Sequence, residues 1–336
     1  MSDTAQRLVG VVGRFPSVTL AVAGDLVADE YLYCRTSRIS REAPAALILT
    51  YQDRDLRPGG GANAVANIRA LGGSVEPVGV VGDDATGHEL VEVLRAMKID
   101  TSGVLLSDTA RTVVKTRIMT STYHSTKQQV LRLDREFVLP LEHAARAGFE
   151  RALGERLERA DALLIADYGY GSARPEWLAA SLGQARARRL PVTVDSRHRL
   201  SAFAGVSAAT PNEEEVEELA GKPVSEDETA LLEAGESLRE QLGAEALLVT
   251  RGSRGMALLE RGRRPELLGV FGSDEVADVT GAGDTVIATF TLALAAGASF
   301  SDAARLANCA GGLVVMKRGT ATVSASELVA AVLSLK

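Results

Sequence analysis

Short apolar runs alternate with amphipathic stretches along most of this chain, and the alternation predicts its architecture. Thr19-Leu20-Ala21-Val22-Ala23 reads as a buried strand, followed after a gap by a helix over 62–71. Pro77-Val78-Gly79-Val80-Val81 reads as the next strand, then a helix over 86–96. Further on come a strand at Ala162-Leu163-Leu164-Ile165-Ala166, a helix over 175–187 and a strand at Pro191-Val192-Thr193-Val194. Helices over 213–220 and 227–242 and a strand at Ala246-Leu247-Leu248-Val249-Thr250 continue the rhythm. Continuously apolar strands between helical segments indicate a parallel sheet covered on both faces. The expected fold class is therefore α/β: a doubly wound, mainly parallel sheet with helices on both faces. The chain closes with helices over 283–296, 302–316 and 325–334. Without internal repeats or low-complexity linkers, residues 1–336 read as a single domain.

Two segments break the rhythm. Residues 31–55 and 112–135 carry alternating and β-branched stretches, such as Thr112-Val113-Val114-Lys115-Thr116-Arg117-Ile118 and Gln129-Val130-Leu131-Arg132-Leu133. They have no place in a central parallel layer, so a small separate β-sheet is their natural home; surface hairpins without a role are the alternative. Insertions of this length are usually functional.

Composition narrows the classes. Hydrophobic residues make up 46% and charged residues 24%, with a net charge of −7 and no basic tract. Nucleic acid is an unsuitable partner for such a surface. Two cysteines, Cys34 and Cys309, and four histidines leave no room for a disulfide framework or a zinc site. The N-terminus lacks a signal-peptide pattern, and the longest apolar run, Thr285 to Ala298, is too short to span a bilayer. No membrane partner and a cytoplasmic location are expected.

Candidate chemistry concentrates at Asp278-Val279-Thr280-Gly281-Ala282-Gly283-Asp284-Thr285. Glycines at a helix start let backbone N–H groups approach an anion, and Asp284 adds a carboxylate in the same turn. A cradle for phosphate charge plus a group to take a hydroxyl proton is what phosphoryl transfer needs. An ordinary turn with Asp284 as a helix cap is the plain alternative. The helix N-terminus favours the ionised carboxylate, so Asp284 is expected to stay charged near neutral pH. Upstream, Gly59-Gly60-Gly61-Ala62-Asn63-Ala64 also fits a dinucleotide-binding fingerprint, with Asp83 about twenty residues on. That fingerprint must follow a strand directly, and the polar, proline-ended Arg54-Asp55-Leu56-Arg57-Pro58 does not read as one. There is no G-x-x-x-x-G-K-[ST] loop.

Together, Gly24-Asp25-Leu26-Val27-Ala28-Asp29, Arg57-Pro58-Gly59-Gly60-Gly61-Ala62-Asn63 and the Asp278–Thr285 segment resemble the PfkB (ribokinase-like) family of sugar kinases. Within that family the likeness is greatest to the kinases that phosphorylate heptose 7-phosphate at C1 in ADP-heptose synthesis. It is carried further by Thr36-Ser37-Arg38-Ile39-Ser40, Glu42-Ala43-Pro44, Thr116-Arg117, Leu131-Arg132-Leu133-Asp134, Ala166-Asp167-Tyr168-Gly169, Thr210-Pro211-Asn212-Glu213-Glu214-Glu215 and Thr322-Val323-Ser324. Two places depart. Tyr170-Gly171 stands where those kinases usually have a lysine, and Asp195-Ser196-Arg197 where they usually have Pro-Lys after the aspartate. Arg197 restores a positive charge, though arginine is not equivalent to lysine.

The resemblance implies ATP and Mg²⁺ as cofactors, admits a monovalent cation, and implies a lid sheet over the sugar that also forms a homodimer contact. It implies Asp284 as catalytic base, with Gly281, Ala282 and Gly283 as the anion hole. Gly60, Gly61 and Asn63 would bind the sugar. Asn212 and Glu215 would order phosphates and the water shell of Mg²⁺. Glu213 and Glu214 belong to the same ATP-site run, although Glu213, Glu217 and Glu218 also read as a solvated helix face. Thr250, Arg251 and Gly252 close a strand where backbone could approach ATP, and Asn308 lies in the neighbourhood that lines the adenine pocket in relatives. From the residues themselves, Asp25 and Asp29 follow the first strand, where doubly wound folds place ligands, and can accept sugar hydroxyls. Lys115 and Arg117 share one face of a strand and suit a sugar phosphate, with Arg132 and Arg38 joining them; the resemblance adds Asp134 to the substrate-binding set. A solvated strand face is the alternative. His124 reads as part of a polar loop tip. A phosphorylated sugar and ATP are the expected small-molecule partners. A sugar-phosphate-binding protein without catalysis is the contrasting class.

Overall fold

The computed structural model describes residues 2–39, 47–121, 128–224, 227–272 and 277–335. Helix α1 (Asp3–Val12) is followed by strand β1 (Thr19–Gly24). Strands β2 (Leu26–Ile39) and β3 (Leu47–Gly60) lead into α2 (Gly61–Ala70). Next come β4 (Ser74–Gly82), α3 (Ala85–Ala96), β5 (Val104–Ser107), β6 (Val113–Ser121) and β7 (Gln128–Arg135). The second half contains α4 (Arg146–Leu157), β8 (Ala162–Asp167), α5 (Pro175–Ala187), β9 (Val192–Ser196), β10 (Ala208–Ala209), α6 (Glu213–Ala220) and α7 (Glu228–Leu242). It ends with β11 (Ala246–Thr250), β12 (Met256–Glu260), β13 (Glu266–Leu268), α8 (Ala282–Ala295), α9 (Phe300–Val314) and α10 (Ala325–Ser334).

The main sheet has the order β13-β12-β11-β10-β9-β8-β1-β4-β5. Strands β5 through β11 in that order are parallel, and β12 and β13 finish the edge in antiparallel fashion. Side-chain alternation sends Leu20 and Val22 of β1 into a core with Leu71, Phe290 and Leu306. It sends Ala21 and Ala23 into a second core with Phe149, Trp177 and Leu238. Each strand thus feeds two apolar layers, which is why its sequence is continuously hydrophobic. Helix α8 is buried from Asp284 to Ala293, so its apolar run is a core helix.

Strands β3-β2-β6-β7 form a separate four-stranded sheet. Pairing is parallel between β2 and β6 and antiparallel in the other two pairs. The first strand pair is longer than the 31–55 segment, because β2 starts one residue after β1 ends. Asp25 is that single residue, and its carbonyl accepts the Gly61 N–H where the chain returns to the main sheet. Register places Asp29, Tyr31, Lys115, Arg117, Arg132 and Asp134 on one face of this sheet. Leu32, Cys34, Tyr51, Ile118, Leu131 and Leu133 share the other.

Eight helices and five strands of the main sheet stand where the sequence places them, within three residues at each end. Helices α1 and α4 and strands β5, β10, β12 and β13 were not anticipated. Helix α4 buries Phe149, Leu153 and Leu157 but also Arg156, and its charged sequence dilutes the apolar stripe. One sequence argument needs correcting. The polar segment Arg54–Pro58 is part of strand β3. The dinucleotide fingerprint fails for a different reason: β3 is an antiparallel strand of the second sheet, not the opening strand of a parallel βαβ unit.

Candidate active site

A cavity of about 1070 Å³ opens between the C-terminal ends of the main-sheet strands and the inward face of the small sheet. Its wall includes Asp29, Gly60, Lys115, Arg117 and Arg132 on one side, with Asp284 and the Gly281–Gly283 turn opposite. Asn212, Glu213, Glu214, Glu215, Thr250, Arg251 and Gly252 line its far end. Most of the residues singled out in the sequence therefore meet in one place, although they come from seven elements or their ends.

Helix α8 begins at Gly281, whose φ of 76° is left-handed and whose missing Cβ would lie 2.4 Å from Asn63 Nδ2. Only glycine satisfies both conditions at once. No side chain among the described residues caps this helix end. The Ala282 N–H already donates to the Val279 carbonyl at 3.2 Å, so of the three expected amides it is the one that is engaged. Gly281 and Gly283 remain to face an anion at the positive end of α8.

Asp284 is 4% exposed. Its Oδ2 accepts Asn63 Nδ2 at 2.8 Å, and its Oδ1 accepts the Tyr168 hydroxyl. Asn63 is fixed in turn by Asn67, whose Nδ2 donates to the Asn63 Oδ1 at 3.2 Å. Burial pushes the Asp284 carboxyl up to about 6, while the Tyr168 and Asn63 hydrogen bonds pull it down. This reverses the direction expected from the helix N-terminus alone: desolvation outweighs the dipole.

Asp29 is held by Arg117 Nη2 at 3.2 Å and by Thr320 Oγ1 at 2.6 Å. Arg117 is buried and its Nε has no hydrogen-bond partner among the described residues. Lys115 and Arg197 both stack on the Tyr168 ring, at 5.3 Å and 4.9 Å from its centroid. Neither has a carboxylate within ion-pair distance among the described residues. Burial first, then Arg197, lowers the Lys115 pKa. Arg132 reaches the cavity but pairs with Asp134 at 2.9 Å, and Asp134 itself does not line it.

At the far end, Asn212 and Glu215 form a reciprocal capping box on α6, each side chain accepting the other's backbone N–H at 2.8 Å. The N-x-x-E pattern thus has a structural task in addition to lining the cavity. Burial raises the Glu215 pKa, and it raises that of the neighbouring Asp195 well above the ordinary range, with Glu215 and Asp284 adding repulsion. Glu213 is tied to Arg251 and Arg254.

Besides Asp134, four of the singled-out residues lie away from the cavity wall. Asp25 is buried, and both its oxygens accept backbone N–H groups, from Tyr168, Tyr170 and Ser172. It shapes the loop after β8 rather than presenting a carboxylate to a ligand. Gly61 packs on the Asp25 carbonyl. Asn63 reaches the site through Asp284. Asn308 donates to the Gly269 carbonyl at 2.7 Å. Arg38 lies in β2 opposite Ile48, its side chain outside the described residues, as are Glu42–Pro44 and His124. Conversely, Tyr168, Asp195 and Arg197 line the cavity without having been singled out as ligands. Each directly ends or follows β8 or β9, so the strand-end rule applied to Asp25 and Asp29 would have found them.

Residues 20–327 match the pfkB family carbohydrate kinases. The chain belongs to that family, whose members are phosphotransferases with an alcohol group as acceptor. It is 41% identical over 316 residues to the bifunctional protein HldE of Pseudomonas aeruginosa PAO1, covering 94% of this chain and 64% of the relative. To the bifunctional protein HldE of Pelobacter propionicus it is 36% identical, covering 97% and 66%. The chain thus spans just under two-thirds of the length of these relatives. Among solved structures, Arabidopsis thaliana ribokinase complexed with ribose and ATP superposes with a TM-score of 0.73 at 21% identity, covering 94% of this chain and 98% of the other. Escherichia coli phosphofructokinase-2 in complex with fructose-6-phosphate gives 0.71 at 20%, with the same coverages. These likenesses establish the ribokinase-like fold, whose kinases use ATP and a divalent metal. No helix among the described residues is long and apolar enough to cross a membrane.

Proposed function

We propose that this kinase transfers the γ-phosphoryl group of ATP to the C1 hydroxyl of D-glycero-D-manno-heptose 7-phosphate, giving the 1,7-bisphosphate. The observation that carries the reading is Asp284: a buried carboxylate beside a glycine turn that no described side chain caps, in a cavity that also holds cations without an ion-pair partner among the described residues. Asp284 accepts the proton of the attacking hydroxyl. The new P–O bond forms in line as the bond to the departing ADP oxygen breaks. The amides of Gly281 and Gly283 offset the charge on the moving phosphoryl group. Gly60 and Asp29 contact the sugar, and Asn212, Thr250, Arg251 and Gly252 flank the nucleotide. Lys115 Nζ, without an ion-pair partner among the described residues, is the donor available to the phosphate the sugar already carries, and Arg117 and Arg132 border it.

No three His, Cys, Asp or Glu residues among those described cluster to hold a bare metal ion. Glu215 suits a hydrated Mg²⁺, its carboxylate lying in the cavity wall, and such an ion would neutralise phosphate charge when bound. The HldE relatives support the heptose substrate. One departure from heptose kinases favours the alternative of another sugar phosphate: Tyr170 donates to Glu136 at 2.9 Å and supplies no cation, whereas Arg197 keeps a cation in the cavity. Assay of ADP release with heptose 7-phosphate, fructose 6-phosphate, fructose 1-phosphate, ribose and adenosine tests the reading. Preferred turnover of heptose 7-phosphate supports it, and preference for another acceptor replaces it.

A further inference from the structure

We infer that Tyr168 is a positioning residue for the base: its hydroxyl orients the Asp284 carboxylate and keeps it ionised for reaction. The inference deepens the proposed kinase reading and rests on it. Tyr168 follows β8 by one residue, in a loop that Asp25 fixes through three backbone N–H groups, including that of Tyr168 at 3.0 Å. The hydroxyl donates to Asp284 Oδ1 while Asn63 holds Oδ2, so the carboxylate plane is set from both sides. Each carboxylate oxygen has a second acceptor site, which leaves Oδ1 able to receive a sugar hydroxyl as well.

The alternative role for Tyr168 is a platform alone, since Lys115 and Arg197 stack on its ring. Phenylalanine keeps the ring and removes only the hydroxyl, so it separates the two roles. The charged and titratable groups around Asp284 are Asp29 from β2, Asp195 from β9, Arg197 beyond it, and Lys115 from β6 across the tyrosine ring. Two acids and two cations act there, and a Tyr168→Phe change alters none of them. The Tyr168 pKa is raised well above its ordinary value by burial and by Asp284, so the phenol stays protonated and donates throughout the working range. A donor to a carboxylate favours its ionised form, and losing it raises the carboxyl pKa.

The test is the pH profile of kcat/KM for Tyr168→Phe, paired with a ¹³C carboxyl titration of Asp284 in the nucleotide-free protein, its signal assigned by loss in Asp284→Asn. The expected result is an upward move of about one pH unit in both, equal to about tenfold in rate at a pH on the limb. KM for ATP should change by less than about twofold, and the rate should recover as pH rises past the new limb. An Asp284 titration that does not move in Tyr168→Phe overturns the inference. So does a loss of rate that is uniform across pH. The NMR arm is independent of any substrate, so an unmoved titration counts against Tyr168 alone. Wild-type turnover in Asp284→Asn counts against the base, and with it the kinase mechanism.

Discussion

At the scale of the residue, Asp284 shows why position on a helix does not decide a pKa by itself. A first-turn carboxylate gains about 0.3–1 kcal/mol from the helix end, yet burial pushes this one up to about 6. The base works in its ionised form, so the sign follows directly. Activity should fall by about tenfold per unit as pH drops below about 6, and level off above it. A flat profile across that range would show that Asp284 does not titrate during turnover. Asp284→Asn should lower kcat by about 10²–10⁴ while leaving ATP affinity within a few-fold. Calorimetric titration of ATP alongside the rate measurement separates the two effects. The sequence placed this residue correctly because glycines and an acid at a helix start form a local pattern. It hid Tyr168 as the partner of Asp284, which lies 116 residues away in the chain.

At the scale of elements, the junction between β1 and β2 organises the site. One residue, Asp25, sits where the chain leaves the main sheet, and its carboxylate ties down the loop after β8. Desolvation raises its pKa to about 6, with Asp167 adding repulsion against three backbone hydrogen bonds. Replacing Asp25 by alanine strands three amides at a cost of about 1–3 kcal/mol for each one left unsatisfied. Hydrogen exchange at Tyr168, Tyr170 and Ser172 should then lose protection; unchanged protection there would contradict this role. The small sheet allows a sharper division. Arg117 neutralises buried Asp29, so Arg117→Ala should cost stability, about 3–5 kcal/mol for a broken buried pair, measurable by denaturant unfolding. Lys115 has no such partner among the described residues, so Lys115→Ala should leave stability nearly intact and raise KM for a sugar phosphate about tenfold, the loss of one charge-assisted contact. An equal effect on ribose would move Lys115 to structural support. Alternation along β6 foretold that Lys115 and Arg117 share a face. That Arg117 is already paired could not be read from it, because register with β2 is a tertiary fact.

At the scale of the molecule, the two sheets explain what was legible and what was not. The parallel sheet was readable because its strands are apolar on both faces and alternate with amphipathic helical stretches. The small sheet was readable as alternating strands outside the main layer, but which strand pairs with which, and in what register, was not. Its outward face carries Tyr51, Leu131 and Leu133, exposed by 61%, 56% and 56%. An apolar sheet face of this kind needs a cover, and a second copy of the chain is the cover we propose. The parent protein should then sediment as a dimer at micromolar concentration, and Leu131→Asp with Leu133→Asp as a monomer. A monomeric parent would remove the proposal.

The most direct measurement of the central claim is a ³¹P NMR assay of ATP and D-glycero-D-manno-heptose 7-phosphate with the parent protein and with Asp284→Asn. The account predicts a new anomeric phosphate signal, stoichiometric with ADP, in the first sample and its near absence in the second. No anomeric phosphate with the parent protein, or equal product from both, would contradict it.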